Sequence, residues 1–193
     1  MFVYNLSKSV NTNIRNGGIK MKETGVLRRI DELGRIVIPK ELRKKLKIRE
    51  GDFLDIFVED NNIVLQKYSA LKDIEAVLNS LVVSLGKSYN LKMTIVDSTN
   101  VIASNFNKLK ADMPISNDLL MYINKCDTTL LNKNVNLNVS EGINAEANIL
   151  IKPITVYGDL YGAVLIFFEY ELPKDKMEAI NLACSFIVDY IEA

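Results

Sequence analysis

Pro39 is the residue that most limits what this chain can fold into. It follows an apolar, β-branched run, Ile36-Val37-Ile38, and precedes Lys40-Glu41-Leu42-Arg43-Lys44-Lys45-Leu46. Proline has no N–H for a strand ladder, and its fixed φ suits the first position of a helix. The chain must therefore leave a strand and enter a helix at this point. From Pro39 to Lys47 the residues keep a helical period. Leu42 and Leu46 stand at i and i+4 and form an apolar stripe. Lys40, Arg43, Lys44 and Lys47 fall within roughly 100° on the opposite side.

The same logic extends to both sides. Gly25 to Ile30 is a short β-prone run, and Asp31-Glu32-Leu33-Gly34 is a turn in which Gly34 can take positive φ. Arg49-Glu50-Gly51-Asp52 is a second turn. Phe53 to Val58 and Ile63 to Tyr68 are strands joined by Glu59-Asp60-Asn61-Asn62. This is strand, turn, strand, short helix, strand, turn, strand in 48 residues, 21 to 68. So small a unit has too little core to be stable alone, and its apolar strands call for a second copy.

Charge separates this head from the rest. The chain has 24 basic and 24 acidic residues. Residues 22–49 nevertheless hold ten basic and four acidic residues, and residues 71–193 hold ten basic and fifteen acidic. All six arginines lie at or before Arg49. A basic head on an acidic body implies two modules, the head's partner being an anion. Arginine forks suit phosphates and guanine edges.

Residues 24–68, TGVLRRIDELGRIVIPKELRKKLKIREGDFLDIFVEDNNIVLQKY, resemble the AbrB-type swapped-hairpin DNA-binding domain. The core D-x-x-G-R-[IV]-x-[IV]-P-x-x-[LI]-R matches throughout. The resemblance implies that two chains interleave their hairpins into one small β-barrel, also seen in MazE-type proteins, with arginines facing double-stranded DNA. It implies DNA-binding roles for Arg28, Arg29, Arg35, Arg43 and Lys44, and for Lys22 at a basic N-terminal position. Lys40 stands where that family varies.

Beyond residue 69, Leu71, Ile74, Leu78, Leu81 and Leu85 are spaced three, four, three, four, flanked by Val77 and Val82. Met177, Ile180, Cys184, Ile187 and Ile191 repeat the spacing near the other end. Two amphipathic helices thus bracket the body. Each can pack on its own sheet or meet another chain in a bundle, and the seams are assigned to oligomerisation. Strands are expected at Lys92 to Asp97, Val101 to Ser104, Asn148 to Val156 and Leu160 to Phe168, with Gly158-Asp159 as a hairpin turn. Ser116 to Lys125 reads as a helix capped by Ser116, and Asn132 to Asn144 as a loop. The segment IKPITVYGDLYGAVLIFF resembles part of a GAF domain. The fold class expected is α+β: a dimeric swapped-hairpin β-barrel followed by a GAF-like α/β sheet domain flanked by helices.

Domain bounds are set at 21–69 and 70–193. Residues 1–20 are expected to be a leader or disordered tail. Asn16-Gly17-Gly18 can be encoded with a ribosome-binding sequence inside the glycine codons, which points to Met21 as the translation start.

Composition excludes several chemistries. There is no histidine, so Ser-His-Asp, Cys-His and H-E-x-x-H sites are ruled out. Cys126 and Cys184 form no C-x-x-C pair and read as small buried hydrophobes of a reducing cytoplasm. No apolar run reaches the roughly 18 residues of a membrane span. No catalytic, metal or cofactor residues are assigned. Asp97, Ser98, Asn105 and Glu146 are polar residues able to line a small-molecule pocket, or simply to be solvated, and the effector stays unidentified.

Taken whole, residues 21–193 resemble transcription regulators of late sporulation in spore-forming bacteria. That resemblance implies a non-enzymatic, cytoplasmic, homo-oligomeric activator and repressor, acting in the forespore on the nucleoid. The alternative is an antitoxin that regulates its own operon, since the same small barrel serves toxin–antitoxin pairs.

Overall fold

The computed structural model describes residues 3–4, 26–48, 50 and 52–192. Lys22, Arg49 and the expected leader signal at Asn16 to Met21 lie outside the described residues. The chain divides into two compact units, residues 1–68 and 69–193.

In the first unit, β1 (Val3–Tyr4) pairs antiparallel with β3 (Asn62–Lys67). Helix α1 (Lys40–Lys45) comes next in the chain, with Pro39 as its N-cap. Strand β2 (Leu54–Glu59) then forms a hairpin with β3. Asp60 and Asn61 both take positive φ, 46° and 65°, as the tight turns that match strand twist require. The arms Val26–Ile30 and Ile36–Ile38 are β-prone, yet among the described residues neither enters a ladder. Their apolar side chains lie open, Leu27 being 96% and Val37 74% exposed. Ile56, on β2, is 70% exposed. Local propensity is present here, but among the described residues the partner strands are not.

The second unit is self-contained. Its elements are α2 (Ala70–Asp73), α3 (Glu75–Tyr89), β4 (Lys92–Val96), β5 (Val101–Ser104), α4 (Asn117–Ile123), β6 (Thr129–Leu131), β7 (Asn138–Ser140), β8 (Ile143–Asn144), β9 (Asn148–Val156), β10 (Asp159–Phe168) and α5 (Lys174–Glu192). The central sheet has the order β5-β4-β10-β9-β6, and every pairing is antiparallel. Strand β10 is apolar on both faces. Ala163, Leu165 and Phe167 enter one core cluster, and Val164 and Ile166 the other. The first cluster is closed by α4 and its neighbouring loops, through Leu119, Leu120 and Ile123. The second is closed by α2, α3 and α5.

Both helical seams face that second cluster. Leu71, Leu78, Ile180 and Ile187 are completely enclosed, and Ile74, Leu81, Leu85, Met177, Cys184 and Ile191 pack partly buried around them. The residues assigned to contacts between chains therefore meet the chain's own sheet. The physical reason is simple: a sheet with apolar residues on both faces must be covered on both, and these helices are the nearest apolar cover. What α5 leaves outside is a second stripe, Leu182, Phe186 and Tyr190, with Leu182 72% exposed.

Smaller departures from expectation share a cause. The first helix breaks at Ile74, between α2 and α3. The stretch expected to be a loop contains the ribbon β7-β8, turning at Gly142 with φ 73°. Strand β6 adds to the sheet edge beside β9. Strands of two or three residues are too short to show a period, and their pairing is non-local. Cys126 is exposed rather than buried, while Cys184 is half-buried and its thiol is pushed up to about 11 by desolvation.

Gly162 sits where β10 shifts register against β9. A Cβ there would come 2.1 Å from the Val96 carbonyl oxygen and 2.7 Å from Leu71 Cδ1. Gly162→Ala should therefore destabilise the body by about 1–3 kcal/mol through overpacking. Thermal unfolding checks this, and an unchanged midpoint would show that the sheet can relax around the methyl group.

Candidate nucleic-acid interface

The basic residues of the head are carried on two local structures. The first is the turn 31–35. Asp31 N–H donates to the Arg35 carbonyl at 3.2 Å, and Gly34 N–H donates to the Asp31 carbonyl at 3.0 Å. Gly34 takes φ 76°, which glycine adopts without a Cβ penalty. The Asp31 carboxylate braces the inside. Its Oδ1 accepts from the N–H groups of Leu33 at 3.0 Å and Arg35 at 2.8 Å. Its Oδ2 accepts from Arg35 Nε at 2.7 Å. The Arg35 backbone N–H, then its guanidinium, hold the Asp31 carboxyl below the usual carboxylate range.

Helix α1 is the second structure. It presents Lys40, Arg43, Lys44 and Lys45 to solvent, with Leu42 and Leu46 half-buried on the other side. Its C-terminal end is closed by a paired cap. Lys47 N–H donates to the Lys44 carbonyl at 3.2 Å, and Ile48 N–H to the Arg43 carbonyl at 2.8 Å. Lys47 accordingly takes φ 54°, a place where glycine is the usual residue. Lys67 reaches this end from β3, donating to the Lys47 carbonyl at 3.4 Å and pairing with Asp52 at 2.9 Å.

The structure places Arg28, Arg29, Arg35, Arg43 and Lys44 on exposed positions. Arg28 and Arg29 lie on the unpaired arm, Arg35 on the turn, Arg43 and Lys44 on α1. Lys22 lies outside the described residues. None of the five is buried, although Arg28 Nη1 donates weakly to the Leu27 carbonyl at 3.5 Å. Arg35 keeps its terminal nitrogens while Nε is held by Asp31. Sequence reasoning saw Asp31 as a turn residue and missed its bond to Arg35. The signal was present in the D-x-x-G-R spacing, since an Asp two residues before a free N–H forms such turns. The Lys67 clamp had no local signal, because it joins positions twenty and fifteen residues apart.

Two of the body's polar candidates, Asp97 and Asn105, hold backbone groups in place, and Glu146 borders a cleft. Asp97 Oδ1 accepts from Thr99 N–H at 2.6 Å, Thr99 Oγ1 at 2.8 Å and Asn100 N–H at 2.6 Å, closing the β4–β5 turn in which Ser98 also sits. Asn105 Nδ2 donates to the carbonyls of Val82 and Leu91, both at 2.9 Å, and its Oδ1 accepts from Met93 N–H at 2.7 Å. It thus ties the middle of α3 and the segment that follows the helix to β4. Glu146 pairs with Lys108 at 2.8 Å, which lowers its pKa, and borders a cleft of about 230 Å³ with Lys133, Ala147, Glu169 and Tyr170. Among the described residues no cluster of metal-binding side chains occurs, and no helix is long and apolar enough to cross a membrane.

A compact basic head, armed with exposed arginines and followed by a separate α+β body, defines a DNA-binding transcription regulator. Residues 73–188 match the family described as stage V sporulation protein T C-terminal, transcription factor. Residues 27–73 match the antidote-toxin recognition family MazE, bacterial antitoxin. Stage V sporulation protein T of Bacillus subtilis (strain 168) is 33% identical over 177 residues, spanning 89% of this chain and 99% of that protein. The chain belongs to the stage V sporulation protein T family of transcription factors. Its head is 57% identical to the N-terminal DNA recognition domain of the Bacillus subtilis transition-state regulator AbrB, covering 25% of this chain and 92% of that one, with a TM-score of 0.23. The cofactor-binding GAF domain of the nutrient sensor CodY from Clostridium difficile is similar over 56% of this chain and 80% of that one, at 14% identity and a TM-score of 0.45.

Replacing Lys67 by Met should loosen the end of α1, because both its bond to the Lys47 carbonyl and its pair with Asp52 are removed. The expected loss is about 1 kcal/mol. Amide exchange at Lys47 and Ile48 should accelerate relative to the β2–β3 hairpin, whereas unchanged exchange would show that the paired cap suffices without the clamp.

Proposed function

We propose that two chains join their heads into one interleaved β-barrel that binds double-stranded DNA through Arg28, Arg29, Arg35, Arg43 and Lys44, with Lys22 adding to the same surface. The observation that carries this reading is the pair of unpaired arms flanking the arginine turn. Leu27, Ile30, Ile36 and Val37 are β-prone, apolar and exposed within one chain. A second copy supplies the strands that would bury them, and a two-fold pair doubles the basic face. The regulated genes are those of late sporulation in the forespore, activated at some promoters and repressed at others, and the protein works in the cytoplasm on the nucleoid. The body serves assembly and answers to a small-molecule effector of unidentified chemistry.

The antitoxin reading is favoured by the match of residues 27–73 alone. It is weakened by the 125 residues that follow Tyr68, of which 73–188 match a transcription-factor family. A toxin gene beside this one, and a complex of its product with the chain, would restore it.

Binding should depend steeply on salt. If a head dimer neutralises about eight phosphates, the log–log slope is about −7. Arg35→Ala should weaken binding while leaving sedimentation unchanged; a slope near zero would reject this surface as the DNA contact.

Assembly beyond the dimer is expected through the outer stripe of α5, since the inner one is occupied. Phe186 and Tyr190 already pack together, with ring centroids 5.7 Å apart. If bodies pair different chains from those paired by the heads, the product is a tetramer with two DNA-binding heads, and paired sites are bound cooperatively. Leu182→Glu with Phe186→Ser alters only solvent-facing or half-exposed positions, so the body should stay folded while sedimentation falls from tetramer to dimer. An unmodified chain that sediments as a dimer would contradict the tetramer.

A further inference from the structure

We infer that Asp31 is a positioning residue for DNA recognition: one carboxylate oxygen builds the turn, and the other fixes the Arg35 guanidinium so that its two terminal nitrogens meet the DNA. The inference rests on the reading of Arg35 as a DNA contact and adds to it a residue of the opposite charge.

The geometry divides the carboxylate cleanly. Oδ1 takes the two backbone N–H groups of Leu33 and Arg35, at 3.0 and 2.8 Å. Oδ2 takes Arg35 Nε at 2.7 Å. A guanidinium has five N–H donors in a rigid plane, and holding Nε leaves the four on the terminal nitrogens. Those four form the fork that spans guanine O6 and N7 or two phosphate oxygens. An arginine free on the surface loses rotamer freedom when it binds. Arg35, tethered through Nε to a turn closed at both ends, has lost much of that freedom beforehand.

Simple electrostatics argues the other way. Asp31 is a negative charge on the face that meets phosphates, so removing it should help binding, modestly because the group is exposed and screened. The two effects have opposite signs, and that makes the inference testable. Glu32, the next residue, is an exposed carboxylate on the same turn and reports the charge effect alone.

The full chain would be titrated with a duplex that the unmodified protein selects from a random-sequence pool, and with an unselected duplex of equal length. Asp31→Asn keeps an Oδ1 acceptor for the turn and puts an N–H₂ donor opposite Nε. Asp31→Ser keeps a turn acceptor and cannot reach Nε. Both should bind the selected duplex about tenfold more weakly while binding the unselected one nearly as before. Glu32→Gln should bind both as tightly as the unmodified chain or more so. Asp31→Asn in an Arg35→Ala background should add no further loss. An Asp31→Asn chain that behaves like Glu32→Gln, loses affinity equally for both duplexes, or adds its loss to that of Arg35→Ala would overturn the inference. If Arg35→Ala itself leaves the selected duplex bound as before, the contact role of Arg35 fails first, and the positioning role with it.

Discussion

The constraint that governs the head is a pair of apolar arms left unpaired among the described residues. Residues 26–30 and 36–38 have β-prone side chains and an intervening turn that is already closed, yet no ladder among the described residues receives them. Backbone N–H and C=O groups in water are tolerable, but exposed Leu27, Ile36 and Val37 have a burial free energy that is not realised. At roughly 1.5–3 kcal/mol for each large side chain fully buried, a second copy has ample driving force to complete the barrel. The arginine turn, residues 31–35, lies between these two arms.

The body shows the contrary case. Its sheet is apolar on both faces, and each face is closed from within the chain. The two long helices turn their best apolar residues to this closure, leaving Leu182, Phe186 and Tyr190 exposed on the outer side of α5. Its polar loop residues are likewise engaged. Asp97 and Asn105 satisfy backbone groups at chain reversals, work that a buried turn cannot do without. This is why polar residues clustered between strands were ambiguous in the sequence: the same residue types serve a pocket and a turn.

In the arginine turn, one side chain makes two kinds of bond. Asp31 satisfies backbone donors and at the same time holds a basic side chain in place. The arrangement lies within five residues, Asp31 to Arg35. Helix α1 presents its basic residues by a comparable economy, with Pro39 starting it and the Lys47–Ile48 cap ending it within two turns.

The start of α1 at Pro39, the tight turn at Asp60-Asn61, the cap at Ser116, the long strands β9 and β10 and the arginine cluster were all legible in the sequence, whereas the strand expected at Ile36-Val37-Ile38 is not formed among the described residues. Each rests on interactions between residues close in the chain, or on a period long enough to count. Gly34 and Gly158 announced turns for the same local reason, and both take positive φ. The short strands β6, β7 and β8, the Lys67 clamp and the destination of the two helical seams were decided only by tertiary structure. A heptad-like stripe records that a helix has one apolar face, and Leu78 or Ile187 would look alike whether that face met another chain or its own sheet. What settles the matter is the area of apolar sheet left to cover, a quantity that exists only after β4, β5, β9 and β10 have come together.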